Sequence, residues 1–209
     1  VEDNLSYENE KIFHASAADL TEYRGDALSV VTACNEKALP LPAVHGICDE
    51  EFLRGKAPMT KEEVRTVSLS KLRLQEDSVC YDVGAGTGSV SVEMALRAWK
   101  GQIYAIEKKE DALALLKENR RKFATDNLEI VPGTAPEAMA ELPVPTHAFI
   151  GGSSGNMNEI IRLLLDKNPK VRIVINCITL ETVTEAMNAI RDFSLTDVDI
   201  VQLSAARSP

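Results

Sequence analysis

The segment Asp82-Val83-Gly84-Ala85-Gly86-Thr87-Gly88-Ser89 decides the fold, because it lies where a predicted strand turns into a predicted helix. Glycines are needed in such a turn where the backbone takes a positive φ, or where a ligand approaches the backbone without a Cβ in the way. The spacing is G-x-G-x-G, whereas the dinucleotide-binding fingerprint is G-x-G-x-x-G. The turn therefore disfavours a nicotinamide-dependent oxidoreductase.

Strand-like and helix-like segments alternate around this turn, from about residue 60 onward, which predicts a parallel sheet with crossover helices. Strands are predicted over 79–83, 102–106, 128–131, 148–150, 171–175 and 199–203. Helices are predicted over 60–72, 89–99, 110–124, 136–142, 156–167 and 180–193. In the last helix, Val183, Ala186, Met187 and Ile190 have helical spacing, which predicts a face toward the core.

Glu107 is the second feature that indicates a ligand, because it ends the predicted second strand 19 residues after Gly88. A carboxylate at that position can accept both hydrogens of a ribose diol. Either feature alone is compatible with an ordinary turn or strand end, but together in one β-α-β unit they favour a ligand site. Three further segments follow strand ends at the same sheet edge, namely residues 133–136, 151–155 and 176–179.

The composition describes one acidic domain with a possible fragment of a second. The chain has 209 residues, 44% hydrophobic residues and a formal net charge of −9. The excess of acidic residues disfavours nucleic acid as a partner, since non-specific binding depends on phosphate neutralisation. No apolar run approaches the roughly 18 residues that span a bilayer, so we expect no membrane contact and a cytoplasmic location.

The cysteines and histidines predict neither a metal site nor a catalytic nucleophile. Cys34, Cys48, Cys80 and Cys177 contain no C-x-x-C pair and no histidine at ligand spacing. The three histidines belong to no Ser/His/Asp or Cys/His pattern. We therefore expect free thiols and structural or solvent-facing imidazoles.

The glycine turn together with Glu107 resembles motif I of the class I S-adenosylmethionine (SAM) methyltransferases. Longer strings resemble one subfamily, the decarboxylating precorrin and cobalt-precorrin carbon-15 methyltransferases of vitamin B12 biosynthesis. These strings are residues 58–61, 83–93, 150–156 and 176–182. The resemblance implies an α/β fold with a Rossmann-like, doubly wound, mostly parallel sheet. It also implies SAM as the methyl donor, and methylation of carbon 15 of a precorrin with loss of the ring acetate carboxyl.

Carried over by position, the resemblance places the SAM contacts on Thr60, Gly84, Ala85, Gly86, Thr87, Gly88, Glu107 and Ala135. Thr60 also opens a predicted capping box, Thr60-Lys61-Glu62-Glu63, which accounts for the threonine without a ligand. An acidic chain needs local cations to bind a carboxylated tetrapyrrole. The candidates for positioning this substrate are Arg54, Lys56 and Arg207, with Asn176 and Thr179 at the fifth strand's end. Each of them is also compatible with an ordinary surface or turn residue.

The domain organisation follows from a second resemblance. Residues 1–39, with a short helix predicted over 16–23 and a strand over 27–33, resemble the closing part of the tetrapyrrole methylase domain that methylates carbon 5 in the same pathway. We therefore expect the chain, which starts at Val1, to be part of a fused carbon-5,15 enzyme. Residues 40–57 are predicted as a linker and residues 58–209 as the SAM-dependent methyltransferase domain, which lacks the final antiparallel strand.

Two other functions stay open from the residues alone. One is SAM-dependent methylation of a different small molecule, and the other is SAM binding without turnover. An RNA methyltransferase is disfavoured by the acidity and by the lack of an N-P-P-[YF] string. The family resemblance further implies a homo-oligomer such as a tetramer.

Overall fold

A computed structural model describes residues 1–32, 34 and 45–206. The chain divides into two compact units, Val1–Pro40 and Leu41–Pro209. The first unit contains the short strands β1 (Glu2–Asp3), β2 (Lys11–Ile12) and β3 (Ser29–Val30), which form an antiparallel sheet in the order β2-β1-β3. The helix predicted over 16–23 is wrong, because these residues form turns.

The second unit alternates helices and strands, as the sequence predicts. Its elements are α1 (Glu62–Leu72), β4 (Val79–Val83), α2 (Ser89–Arg97), β5 (Gln102–Glu107), α3 (Glu110–Lys122), β6 (Leu128–Pro132), β7 (His147–Ile150), α4 (Met157–Lys167), β8 (Arg172–Ile175) and α5 (Leu180–Asp192). Short 3-10 turns cover Asp49–Glu51 and Glu137–Met139. The second of these turns replaces the longer helix predicted over 136–142.

The sheet of this unit has five parallel strands in the order β6-β5-β4-β7-β8. The chain moves outward from β4 in one direction through β5 and β6, and in the other through β7 and β8. The carboxyl end of β4 is therefore the switch point, where open α/β sheets bind their ligands. The predicted α/β, doubly wound fold is confirmed.

The core lies on both faces of this sheet, because successive strand residues point to opposite sides. Cys80 and Ile103 belong to the apolar cluster that includes residues of α1, α2 and α3, whereas Tyr81 and Ile106 belong to the cluster that includes residues of α4 and α5. All four side chains are buried. The central strands are thus covered on both sides, which holds the carboxyl ends of β4 and β5 in place.

The predicted sixth strand over 199–203 is wrong. Residues 198–206 have no regular secondary structure, and Ile200 is 72% exposed. The alternation of β-branched residues favours a strand, but a strand also needs a partner, and β8 pairs only with β7 within the described residues. The expected core-facing stripe of α5 is also partly wrong, since Ala186 is buried while Val183 and Met187 are exposed.

The predicted linker over 40–57 is, in its described part, a packed segment of the second unit. Ile47 and Phe52 are buried in the cluster that contains Leu72. The capping box predicted at Thr60 does not begin α1, because the N-cap is Lys61 and its side chain makes no capping hydrogen bond. Instead the carboxylate of Asp49, from the packed segment, accepts a hydrogen bond from the backbone N–H of Glu62 at 3.0 Å.

None of the helices in the described ranges combines the length and apolar character that crossing a bilayer requires. The cytoplasmic location stays a prediction.

Candidate cofactor and substrate site

The glycine loop begins where β4 ends, and its backbone is anchored to β5. The N–H groups of Gly84 and Ala85 both donate to the carbonyl of Ile106, at 3.0 and 3.1 Å. Gly84 has a φ of +75° and Gly86 a φ of +56°. A Cβ on Gly84 would lie 2.9 Å from the carbonyl oxygen of Gly152, and a Cβ on Gly86 would lie 2.8 Å from that of Pro58. Both positions therefore require glycine by conformation and by space.

Glu107 lies directly against this loop, although it is far from it in sequence. One carboxylate oxygen accepts a hydrogen bond from Gly86 N at 2.9 Å, and the other accepts from Lys108 N and Lys109 N at 2.8 and 2.9 Å. The side chain is 8% exposed. The structure thus brings together the two features that the sequence singled out, and it fixes the carboxylate at the carboxyl end of the sheet.

Two buried polar atoms beneath the loop are without a hydrogen-bond partner in the described part of the chain. They are Oδ1 of Asp82 and Oγ1 of Thr87. The hydroxyl of Ser91 donates to the other carboxylate oxygen of Asp82. Burial raises the pKa of Asp82 to about 7; the Ser91 hydrogen bond opposes this rise and the charge of Glu107 adds to it. Buried polar atoms in native proteins normally have partners, so these two fit a site for a polar ligand.

The turn after β7 closes the loop from one side. Gly151 N and Gly152 N both donate to the carbonyl of Val83, at 2.9 and 3.3 Å. Gly155 has a φ of +87°. Because β7 is the neighbour of β4, this turn and the glycine loop share one edge of the sheet, as the sequence predicts.

The turn after β6 lies on the other side, beside Glu107. Gly133 N donates to the backbone carbonyl of Glu107 at 2.9 Å. Ala135 is buried, and its carbonyl accepts a hydrogen bond from the side chain of Asn156 at 2.9 Å. The Ala135 segment is therefore held next to the carboxylate, where the resemblance places it.

Thr60 is positioned by a buried ionic network that sequence reasoning missed. The guanidinium of Arg65, on α1, donates to the carbonyl of Thr60 at 2.6 Å, to Glu93 at 2.5 Å and to Asp49 at 3.2 Å. Arg65 and Glu93 are fully buried. The network joins the helix that follows the glycine loop to the segment that carries Thr60 and Pro58. The signal in the sequence was Glu93, a charged residue between the apolar Val92 and Met94 of α2.

Asn119 is a second residue that sequence reasoning missed. Its fully buried side chain on α3 donates to the carbonyl of Thr87 at 2.9 Å and exchanges two hydrogen bonds with the backbone of Leu53. It thereby attaches the segment around Arg54 and Lys56 to the glycine-loop side of the unit. Arg54 and Lys56 are both exposed.

The remaining substrate candidates have structural partners or lie outside the described residues. Asn176 accepts a hydrogen bond from the hydroxyl of Ser68 at 3.1 Å. Thr179 is the N-cap of α5, where it forms a capping box with Thr182. Its position is therefore accounted for by the helix start. Arg207 lies outside the described residues.

The comparisons with known proteins agree with this site. A family model described as a precorrin methyltransferase domain matches residues 51–207. A probable cobalt-precorrin-6B C(15)-methyltransferase (decarboxylating) from Pyrobaculum calidifontis is 44% identical over 168 residues, which cover 79% of this chain and 86% of the relative.

Solved structures give the same result. A precorrin-6Y C5,15-methyltransferase from Geobacter metallireducens is 42% identical, with a TM-score of 0.69 over 72% of this chain and 81% of that chain. A precorrin 8W decarboxylase from Methanobacterium thermoautotrophicum is 37% identical, with a TM-score of 0.72 over 77% and 87% of the two chains. The extent of the family match and the identity to these relatives together establish that this chain belongs to the precorrin methyltransferase family.

Proposed function

We propose that the chain transfers a methyl group from SAM to carbon 15 of a precorrin or cobalt-precorrin, with decarboxylation of the ring acetate, in cobalamin biosynthesis. The observation that carries this proposal is that the family match, residues 51–207, contains the whole glycine loop and Glu107. The relatives named above are decarboxylating carbon-15 methyltransferases, C5,15-methyltransferases and a decarboxylase.

The residues of the loop fit SAM as the donor. The glycine backbone lets a ligand approach without a Cβ, and the carboxylate of Glu107 lies where it can accept ribose hydroxyl hydrogens. SAM, when bound, supplies a methyl group activated by its sulfonium. In this proposal Thr60, residues 84–88, Glu107 and Ala135 hold it, and the buried oxygen of Asp82 faces its polar part.

The chain's own contribution to the reaction is to align the reactants and exclude water. The thiol of Cys177 follows β8 at the site's edge, and burial raises its pKa, which keeps it protonated and weakly nucleophilic. His147 begins β7, so it lies at the opposite end of that strand from the site. The attacking electron pair is therefore assigned to the substrate carbon. The electron pair left when the acetate C–CO₂ bond breaks moves into the macrocycle.

Incubation of the protein with SAM and a precorrin or cobalt-precorrin, followed by mass spectrometry of the tetrapyrrole, tests the proposal. The expected product has gained one methyl group and lost one carboxyl group. The Glu107→Ala variant is the matched control, and we expect its affinity for SAM to fall about 10- to 100-fold because hydrogen bonds to a charged group are lost. SAM binding by the wild type without product would instead favour the non-catalytic binding module.

We further propose that residues 1–39 are the closing part of a carbon-5 tetrapyrrole methylase domain fused to this one. Support comes from the small size of the first unit, whose strands have two residues each, and from the C5,15 bifunctional relative. A polypeptide captured from cells with an antibody to residues 45–206 should add two methyl groups to its substrate. Addition of one methyl only would contradict the fusion.

A homo-oligomer such as a tetramer is also proposed. Support comes from the exposed apolar side chains at and before the start of α5, where Ile178 is 90% and Leu180 is 82% exposed. Sedimentation equilibrium measures the mass directly, and a monomer at micromolar concentration would contradict this proposal.

A further inference from the structure

Lys108 occupies a special place at the mouth of the site. Its backbone N–H donates to the carboxylate of Glu107 at 2.8 Å, so its Cα is fixed beside the proposed ribose acceptor. Its ammonium group donates to the hydroxyl of Ser154 at 3.1 Å. Ser154 belongs to the glycine-rich turn after β7, and both side chains are exposed.

The topology shows what this single side chain crosses. Lys108 follows β5 and Ser154 follows β7, and these strands flank β4 on its two sides. The glycine loop emerges from the carboxyl end of β4. The side chain of Lys108 therefore passes over the glycine loop and connects the cofactor side of the edge to the turn on the other side.

The charge of Lys108 is not neutralised inside the described ranges of the chain. Exposed lysines elsewhere are paired, as Lys71 is with Asp199 at 2.6 Å and Lys100 is with Glu76 at 2.8 Å. No such ion pair is formed by Lys108 with a described carboxylate. The ammonium of Lys108 and the hydroxyl of Ser154 are thus two hydrogen-bond donors, side by side and open to solvent, in a protein whose formal net charge is −9.

This pair suits a carboxylate. An ammonium supplies charge and a hydroxyl supplies a second hydrogen bond, and charge-assisted hydrogen bonds are the stronger kind. A decarboxylating transferase acts on a substrate that carries at least one carboxylate. An otherwise acidic surface repels such a substrate unless a cation stands at the entrance.

We propose that Lys108 and Ser154 bind a carboxylate side chain of the tetrapyrrole substrate and so orient the macrocycle over the glycine loop. This inference rests on the proposed function. It replaces Arg54 and Lys56, which the sequence suggested for this role, by a cation whose location at the site is fixed by two contacts. Lys108 is a substrate-binding residue in this scheme and takes no part in bond making.

Steady-state kinetics of three variants test the inference. Lys108→Met keeps the length of the side chain without its charge, Lys108→Arg keeps the charge, and Lys109→Met is the matched control on the adjacent exposed lysine. We expect Lys108→Met to raise KM for the tetrapyrrole about tenfold, with the Kd for SAM unchanged. Lys108→Arg restores most of the affinity, and Lys109→Met is close to the wild type. The wild-type KM should also rise with salt more steeply than that of Lys108→Met.

The outcomes separate the possible errors. Equal KM values for Lys108→Met and Lys109→Met, with an active wild type, overturn this inference and leave the proposed function intact. A raised Kd for SAM with an unchanged tetrapyrrole KM overturns it too, because Lys108 then binds the cofactor. A wild type that forms no methylated, decarboxylated product overturns the proposed function and this inference together.

Discussion

The two sides of the parallel sheet bury their side chains to different extents. On the side of β4 and β5, residues such as Cys80, Tyr81 and Ile103 have no exposed surface. On the side of β8 and α5, every strand residue is only partly buried, and Ile178 and Leu180 are largely exposed. The sequences of the two sides are similarly apolar, so composition does not explain the difference.

The position of each strand in the sheet explains it. β4 and β5 each have neighbours on both sides and helices on both faces, whereas β8 pairs with β7 alone in the described residues. The candidate site lies on the closely packed side. Its loop is fixed by Gly152, Pro58 and Glu107, and these contacts need a rigid surrounding. The comparison teaches that the cofactor half of the unit is structurally complete, while the α5 half exposes apolar surface.

Removal of the Arg65 guanidinium should break the packed side most severely. Arg65→Met leaves Glu93 and Asp49 buried without their partner, so the free energy of unfolding should fall by about 3–5 kcal/mol. Urea unfolding followed by circular dichroism measures it. The control is Arg191→Met on α5, whose side chain is 75% exposed beside Asp192 and whose loss should change stability by less than about 0.5 kcal/mol. Equal losses for both variants would contradict the comparison.

The buried Asp82 should give the packed side an unusual dependence on pH. Its folded pKa of about 7 lies above the usual value of 3.8, so the folded state holds the proton more tightly than the unfolded state. Its contribution to stability is complete below pH 3.8 and is lost as pH rises toward 7. Between pH 5 and 8, the wild type should lose on the order of 2 kcal/mol relative to Asp82→Asn.

Thermal melts at pH 5, 6, 7 and 8 check this expectation. Asp199→Asn serves as the control, because Lys71 holds the pKa of that exposed carboxyl below its usual range, where it does not titrate in this window. Parallel curves for the wild type and Asp82→Asn would show that Asp82 is ionised throughout.

The smallest effect is expected on the exposed side. Ile178→Ala should change the free energy of unfolding by less than about 0.5 kcal/mol, because the side chain is already in solvent. Its buried counterpart is Ile160 on α4, where truncation to alanine should cost about 2–5 kcal/mol. Urea unfolding at two protein concentrations measures both variants. A concentration-dependent loss for Ile178→Ala would show that another copy of the chain covers this surface.

Much of the fold and the centre of the site could be predicted from sequence. The five parallel strands were located within a residue or two, since short apolar runs separated by glycine turns and amphipathic segments are strong local signals. The glycine loop and Glu107 were found because their spacing in a β-α-β unit is itself informative. What failed depended on partners. Residues 199–203 have a strand-like sequence but no strand beside them, and Thr60 opens a capping box in a helix that begins later.

The residues that hold the site in place were the hardest to predict. Arg65, Asn119 and Lys108 are ordinary polar residues on the surface of predicted elements, and their partners lie up to tens of residues away. No local pattern encodes such contacts, because they exist only when the sheet order places β4 between β5 and β7. The linker prediction failed for the same reason, since Ile47 and Phe52 find their core only in the folded unit.

The sequence alone determined the alternation of strands and helices, the position of the glycine loop and its family, because these depend on local periodicity and on short motifs. The tertiary structure decided which apolar residues are buried, since burial depends on neighbours, and it buried Arg65 between Glu93 and Asp49. It also placed the ammonium of Lys108 across the end of β4, because only the order of the strands brings Ser154 within reach.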